Sequence, residues 1–87
     1  LHLRNDLSAD ALVQATNLLD RVIEIAPRFA PAYAARASVI APQIYFRQVP
    51  RDQSVEAMRR AIARALELDP QLGEAHVSQG ILQLFFD

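Results

Sequence analysis

Apolar residues recur along this chain at spacings of three and four, the period of an α-helix with one buried face. Leu12, Ala15, Leu19, Val22 and Ala26 make the first such stripe. Ser8 stands ahead of it, and its hydroxyl is suited to accept from a free backbone N–H of the first turn. Leu7 before that cap and Leu12 after it fit a hydrophobic staple. Pro27 closes the segment, because the residue before a proline avoids the α region. These signals predict a helix over 8–26. A second helix is predicted to open near Ala30-Pro31, since proline is tolerated in a first turn, and to run through Tyr33, Ala37 and Ile40. Pro42 removes an N–H and crowds the preceding turn, which predicts a kink or an end there. Residues 43–50 then form either a distorted extra turn or a loop. A third helix over about 51–69 turns Val55, Met58, Ile62, Ala65 and Leu66 inward. On its outer face Glu56 and Arg60 have the spacing of an ion pair worth only ~0.3 kcal/mol. Asp69-Pro70 closes this helix, and a fourth runs from near Leu72 to the end. Residues 1–5 read as the tail of another helix. The stretch 40–46 is rich in β-formers, but Pro42 argues against a strand.

The pattern also repeats. With Pro27 set over Pro70, an offset of 43 residues, Arg21-Val22-Ile23-Glu24-Ile25-Ala26 lies over Arg64-Ala65-Leu66-Glu67-Leu68-Asp69. Downstream, Ala32-Tyr33 lies over Ala75-His76, and Ala37 over Gly80. Upstream, Leu12, Ala15 and Leu19 lie over Val55, Met58 and Ile62. Size and polarity persist through both copies, the signature of a repeat architecture.

The two proline-centred blocks, Ile23-Glu24-Ile25-Ala26-Pro27-Arg28-Phe29-Ala30-Pro31-Ala32-Tyr33 and Leu66-Glu67-Leu68-Asp69-Pro70-Gln71-Leu72-Gly73-Glu74-Ala75-His76, resemble a junction of the tetratricopeptide repeat (TPR) family, where the second helix of one repeat meets the first helix of the next. The small residue late in the family's second helix is matched by Ala65 and, less closely, by Val22. Its large residue there is matched by Leu19 and Ile62. The small first-helix residue is matched by Ala37 and Gly80, and the aromatic opener by Tyr33 and, less well, by His76. The resemblance implies an all-α fold of antiparallel helix pairs stacked in a right-handed superhelix, an α-α solenoid. On that division about 1–27 end one repeat, 28–70 form one repeat with a long loop between its helices, and 71–87 begin the next. The period of 43 exceeds the family's usual value of about 34. Arg36, Gln79 and Gln83 also stand where the family prefers apolar residues. The inserted loop and the run Gly80-Ile81-Leu82-Gln83-Leu84-Phe85-Phe86-Asp87 are similar to a bacterial subgroup. There the repeats are appended to adenylate-cyclase catalytic domains or winged-helix transcriptional regulators. With no initiator Met, the chain reads as a piece of a longer signalling protein, and a cytoplasmic location is the expectation.

Composition narrows the function classes. Of the 87 residues 52% are hydrophobic and 22% charged, a globular balance. Nine basic against ten acidic residues leave a net charge of −1, unlike the basic excess of a nucleic-acid binder. Arg59, Arg60 and Arg64 read as a solvated helix face. The absence of cysteine excludes disulfides and thiolate metal sites. No apolar run approaches the ~20 residues that span a bilayer, so no membrane insertion is expected.

No catalytic constellation emerges. His2 and His76 have no second ligand three or four residues away, and His76 occupies the aromatic packing position. Ser8 reads as a cap, and no glycine-rich phosphate loop exists. The expectation is a non-enzymatic module with no cofactor, no metal and a protein or peptide partner. Through the family resemblance, groove-facing positions fall on Ala34, Ser38 and Ala41 in one copy and on Glu74, Val77 and Ile81 in the next. None is Lys, Arg or Asn, so an apolar or mixed ligand is expected rather than a clamped terminal carboxylate, which takes converging donors. The alternative is that these small residues serve close helix packing alone. Tyr45 and Phe46 in the insertion are exposed candidates, for packing or for partner contact. Ile81, Leu82, Leu84, Phe85 and Phe86 place five large apolar residues within six positions. That is too many for one stripe, and predicts a homodimer or swapped pair through the C-terminal helix. A spacer that self-associates and positions an attached output domain is the second functional expectation.

Overall fold

The computed structural model describes residues 8–86. The expected helix tail over 1–5, His2, Leu7 of the staple and Asp87 lie outside them. Four α-helices follow in order: α1 (Ala9–Ile25), α2 (Ala30–Tyr45), α3 (Arg51–Leu68) and α4 (Gly73–Ile81). A π-helical turn, Leu82–Phe86, continues α4. No strand occurs among the described residues, and the class is all-α.

Ser8 caps α1 as its chemistry requires, accepting from the Ala11 N–H at 3.2 Å. The two proline junctions then repeat one another bond for bond. The Ala26 N–H donates to Val22 O at 2.8 Å, and 43 residues on the Asp69 N–H donates to Ala65 O at 2.8 Å. The Phe29 N–H donates to Ala26 O and the Leu72 N–H to Asp69 O. The Tyr33 hydroxyl donates to Pro27 O at 2.8 Å, and His76 Nε2 meets Pro70 O at the same distance. A carbonyl can only accept, so His76 carries its proton on Nε2. The resemblance between Tyr33 and His76 is therefore one of hydrogen bonding as much as of ring packing.

Helix α2 does not end at Pro42. It runs on to Tyr45, so residues 43–45 are helical and the connection shrinks to residues 46–50. Ile40 and Ile44 straddle the proline on one face and are both buried, and that burial holds the final turn in place against the lost N–H. The stop lies downstream. Arg47 takes a φ of 58°, its N–H donates to Ile44 O at 3.0 Å, and the Gln48 N–H donates to Gln43 O at 2.8 Å. This is a Schellman motif with arginine where glycine usually stands.

Helices α2 and α3 share the most extensive interface, α1 packs on α2, and α4 packs on both α2 and α3. The principal core joins Ala37, Ile40 and Ile44 of α2 to Val55, Met58, Ala61 and Ile62 of α3, with Leu82 inserted from the π turn. Met58 has no exposed surface. A second cluster consists of three alanines with no exposed surface, Ala34, Ala65 and Ala75, one from each of α2, α3 and α4. Small side chains there let three helices approach. Gly80 differs from its counterpart Ala37: Ala37 is fully buried, whereas a Cβ built on Gly80 meets nothing within 4 Å. Among the described residues, no helix covers that side of α4. Glu56 pairs with Arg59 at 3.4 Å rather than with Arg60, an exposed contact of at most ~1 kcal/mol.

Candidate apolar cleft between α2 and the C-terminal turn

Two of the expected groove residues, Ala41 and Ile81, are brought to one surface with the insertion aromatics. Ala41, Pro42 and Tyr45 of α2, Phe46 of the connection, and Ile81, Phe85 and Phe86 of the C-terminal segment line a cleft of about 290 Å³. Every lining side chain but the Tyr45 phenol is hydrocarbon. Tyr45 and Phe46 meet edge to face with ring centroids 5.0 Å apart, a favourable aromatic geometry. Arg51 lies against Phe86, one of the lining rings. Its guanidinium lies 5.6 Å from the centroid of the Phe86 ring and donates to Phe86 O at 3.4 Å. Phe85 is 67% exposed and Tyr45 71%, so the cleft walls stand open to solvent.

The cleft exists because α2 continues past Pro42. Had the helix stopped there, Tyr45 would not fall one turn beyond Ala41 on the same face. The segment after Ile81 winds as a π turn, an uncommon geometry that recurs at functional positions. Leu82 is drawn into the core while Leu84 and Phe85 remain outside.

The other expected groove residues are dispersed. Ala34 has no exposed surface, because it is pressed between Ala65 and Ala75, and so offers nothing to a ligand. Ser38 is exposed. Its hydroxyl bonds Ala34 O at 3.2 Å and lies 3.4 Å from the hydroxyl of buried Ser78, making a polar floor midway along the face. Glu74 and Val77 are exposed on α4 and do not line the cleft. Pro42, Phe85 and Phe86 complete the cleft but were absent from the expected groove set. Pro42 reads as a helix breaker and the Phe pair as a dimer surface, and nothing in their spacing indicates that they meet.

Among the described residues no three His, Asp or Glu side chains converge to hold a metal ion. None of the described helices is long and apolar enough to cross a membrane. No protein-family model matches this chain, and comparison with curated proteins and with solved structures likewise yields no match.

Proposed function

We propose that this chain is a non-catalytic, TPR-type interaction module whose helix pairs stack as an antiparallel, right-handed array. In this reading the face shared by α2 and α4 receives an apolar segment of a protein partner. The all-apolar cleft carries the proposal. It is walled by aromatics that remain hydrated in the free chain, and burying such rings is a large source of binding energy. The duplicated Tyr33–Pro27 and His76–Pro70 bonds support a repeat architecture, since two junctions 43 residues apart use one device. Placement as the sensory or regulatory part of a larger bacterial signalling protein rests on the sequence resemblance.

Titrating an amphipathic apolar peptide and an acidic C-terminal peptide against the chain, followed by fluorescence anisotropy, tests the proposal. The apolar peptide should bind with weak salt dependence, because few charges are neutralised. Phe85→Ser should weaken it roughly tenfold or more, the loss of one large apolar side chain from the contact. Micromolar binding of the acidic peptide, abolished at high salt, overturns the reading.

A second reading, self-association as a spacer, is favoured by Leu84. It is 80% exposed, lies outside the cleft and neighbours Phe85. The two readings share Phe85 and differ in what covers it.

A further inference from the structure

A second cavity lies between α1, α2 and α3. It is open to solvent, has a volume of about 390 Å³ and is lined by Asp20 and Ile23 of α1, Tyr33 and Arg36 of α2, and Ala57, Arg60, Ala61 and Arg64 of α3. At about 100° per residue, Tyr33 and Arg36 lie roughly 150° around α2 from Ala41, Pro42 and Tyr45, so this cavity and the apolar cleft occupy opposite sides of one helix.

The lining holds three guanidinium groups and one carboxylate, a surplus of positive charge in a chain whose net charge is −1. The single carboxylate is already covered, since Arg36 Nε donates to Asp20 Oδ1 at 2.9 Å across the α1–α2 interface. Arg64 is anchored by a 2.6 Å bond from Nη1 to Glu67, and its guanidinium stands 5.9 Å from the Tyr33 ring centroid. Those contacts, Glu67 first and Tyr33 second, hold Arg64 still further toward its charged form. Arg60 is exposed and makes no ion pair among the described residues. One turn apart on α3, Arg60 and Arg64 present donors to the same space, with Ile23, Ala57 and Ala61 supplying apolar wall. Paired guanidiniums beside a hydrocarbon surface and an aromatic edge match an organic oxyanion: charge for the forks, carbon for the wall.

We propose that this cavity binds a phosphate monoester carried on an apolar or aromatic body, with Arg60 and Arg64 holding the phosphate. Asp20 already pairs with Arg36 and Glu67 with Arg64, so Arg60 carries the unmatched charge, and the phosphate oxygens offer acceptors to it and to the remaining Arg64 donors. The cavity is several times larger than a bare phosphate, and its apolar wall needs the organic part. The site is independent of the peptide cleft and stands whether or not that cleft binds a partner.

Phenyl phosphate is the probe, titrated against ¹⁵N-labelled protein by NMR, with inorganic phosphate and phenol alongside. Saturable shifts should map to the amides around Arg36, Arg60 and Arg64, with a Kd near the low-millimolar range that a ligand of this size reaches. Both comparison compounds should bind more weakly. Arg60→Gln should weaken binding roughly tenfold, the loss of one charge-assisted contact, and should leave the circular dichroism unchanged. Arg60→Glu should abolish binding, and raised salt should weaken it in the native protein. A phosphotyrosine peptide separates the two sources of such a group. Binding tenfold tighter than phenyl phosphate assigns the group to a phosphorylated protein, and equal binding assigns it to a free metabolite; either result supports the site. Absence of saturable shifts, phenol binding as well as phenyl phosphate, or unchanged binding in Arg60→Glu overturns the proposal.

Discussion

Ala65→Phe is expected to destabilise this fold severely. Ala65 has no exposed surface, and the two side chains it faces, Ala34 and Ala75, have none either. Around this junction Tyr33, Leu66 and Leu72 are already partly buried, so these neighbours have little room to withdraw. A phenyl ring at position 65 must splay α2 and α4 from α3 or force several side chains off rotamer, at about 1–3 kcal/mol. For a chain of 87 residues total stability is of order 4–13 kcal/mol. Each kcal/mol moves the melting temperature by about 4–8 °C, so the expected fall is roughly 4–24 °C. Ala63→Phe on the exposed face of the same helix is the control, and should change stability by no more than about 0.5 kcal/mol. Thermal melts followed by circular dichroism at 222 nm measure both. Equal melting temperatures for Ala65→Phe and Ala63→Phe would refute the three-helix contact.

Arg47→Gly should stabilise the chain. At φ 58° a side chain incurs about 1–2 kcal/mol that glycine escapes, offset in part by glycine's greater freedom when unfolded. A gain of about 0.5–1 kcal/mol in urea denaturation is expected, and a loss would show that Arg47 does not hold the left-handed position. The exposed Leu84 and Phe85 should drive association at high concentration, with light scattering reporting dimers that Leu84→Ser diminishes. A clean monomer at millimolar concentration would remove the self-association reading.

Much of the fold was legible because its signals are local. The Ser8 cap depends on the identity of one residue and the free N–H groups beside it. The proline stops depend on sterics between neighbours, which is why α1 and α3 end within a residue or so of their expected limits. The inward stripe of α3 follows from period alone, and Val55, Met58, Ile62 and Ala65 are all buried. Local rules left the end of α2 open between a stop at Pro42 and an extra turn, and burial of Ile40 and Ile44 against α3 decided for the extra turn.

The candidate sites show the same division. Tyr45 and Phe46 could be named from the sequence as exposed candidates for packing or partner contact, and Ala41 and Ile81 through the family resemblance. That they converge on Pro42, Phe85 and Phe86 could not, because a cleft arises between elements and no single period encodes it. Ala34 lies on the same helix as Ala41, yet only packing decided that one is sealed between alanines and the other lines a surface. Arg60 and Arg64 read as a solvated helix face until Arg36 and Asp20 stood opposite them. The sequence by itself determined the helices, their repeat and most of their stops, since each rests on interactions within a turn or two of the backbone. Tertiary structure alone decided which polar and apolar side chains share a cavity, because that depends on how far apart helices settle, and the bulk at three buried alanines sets that distance.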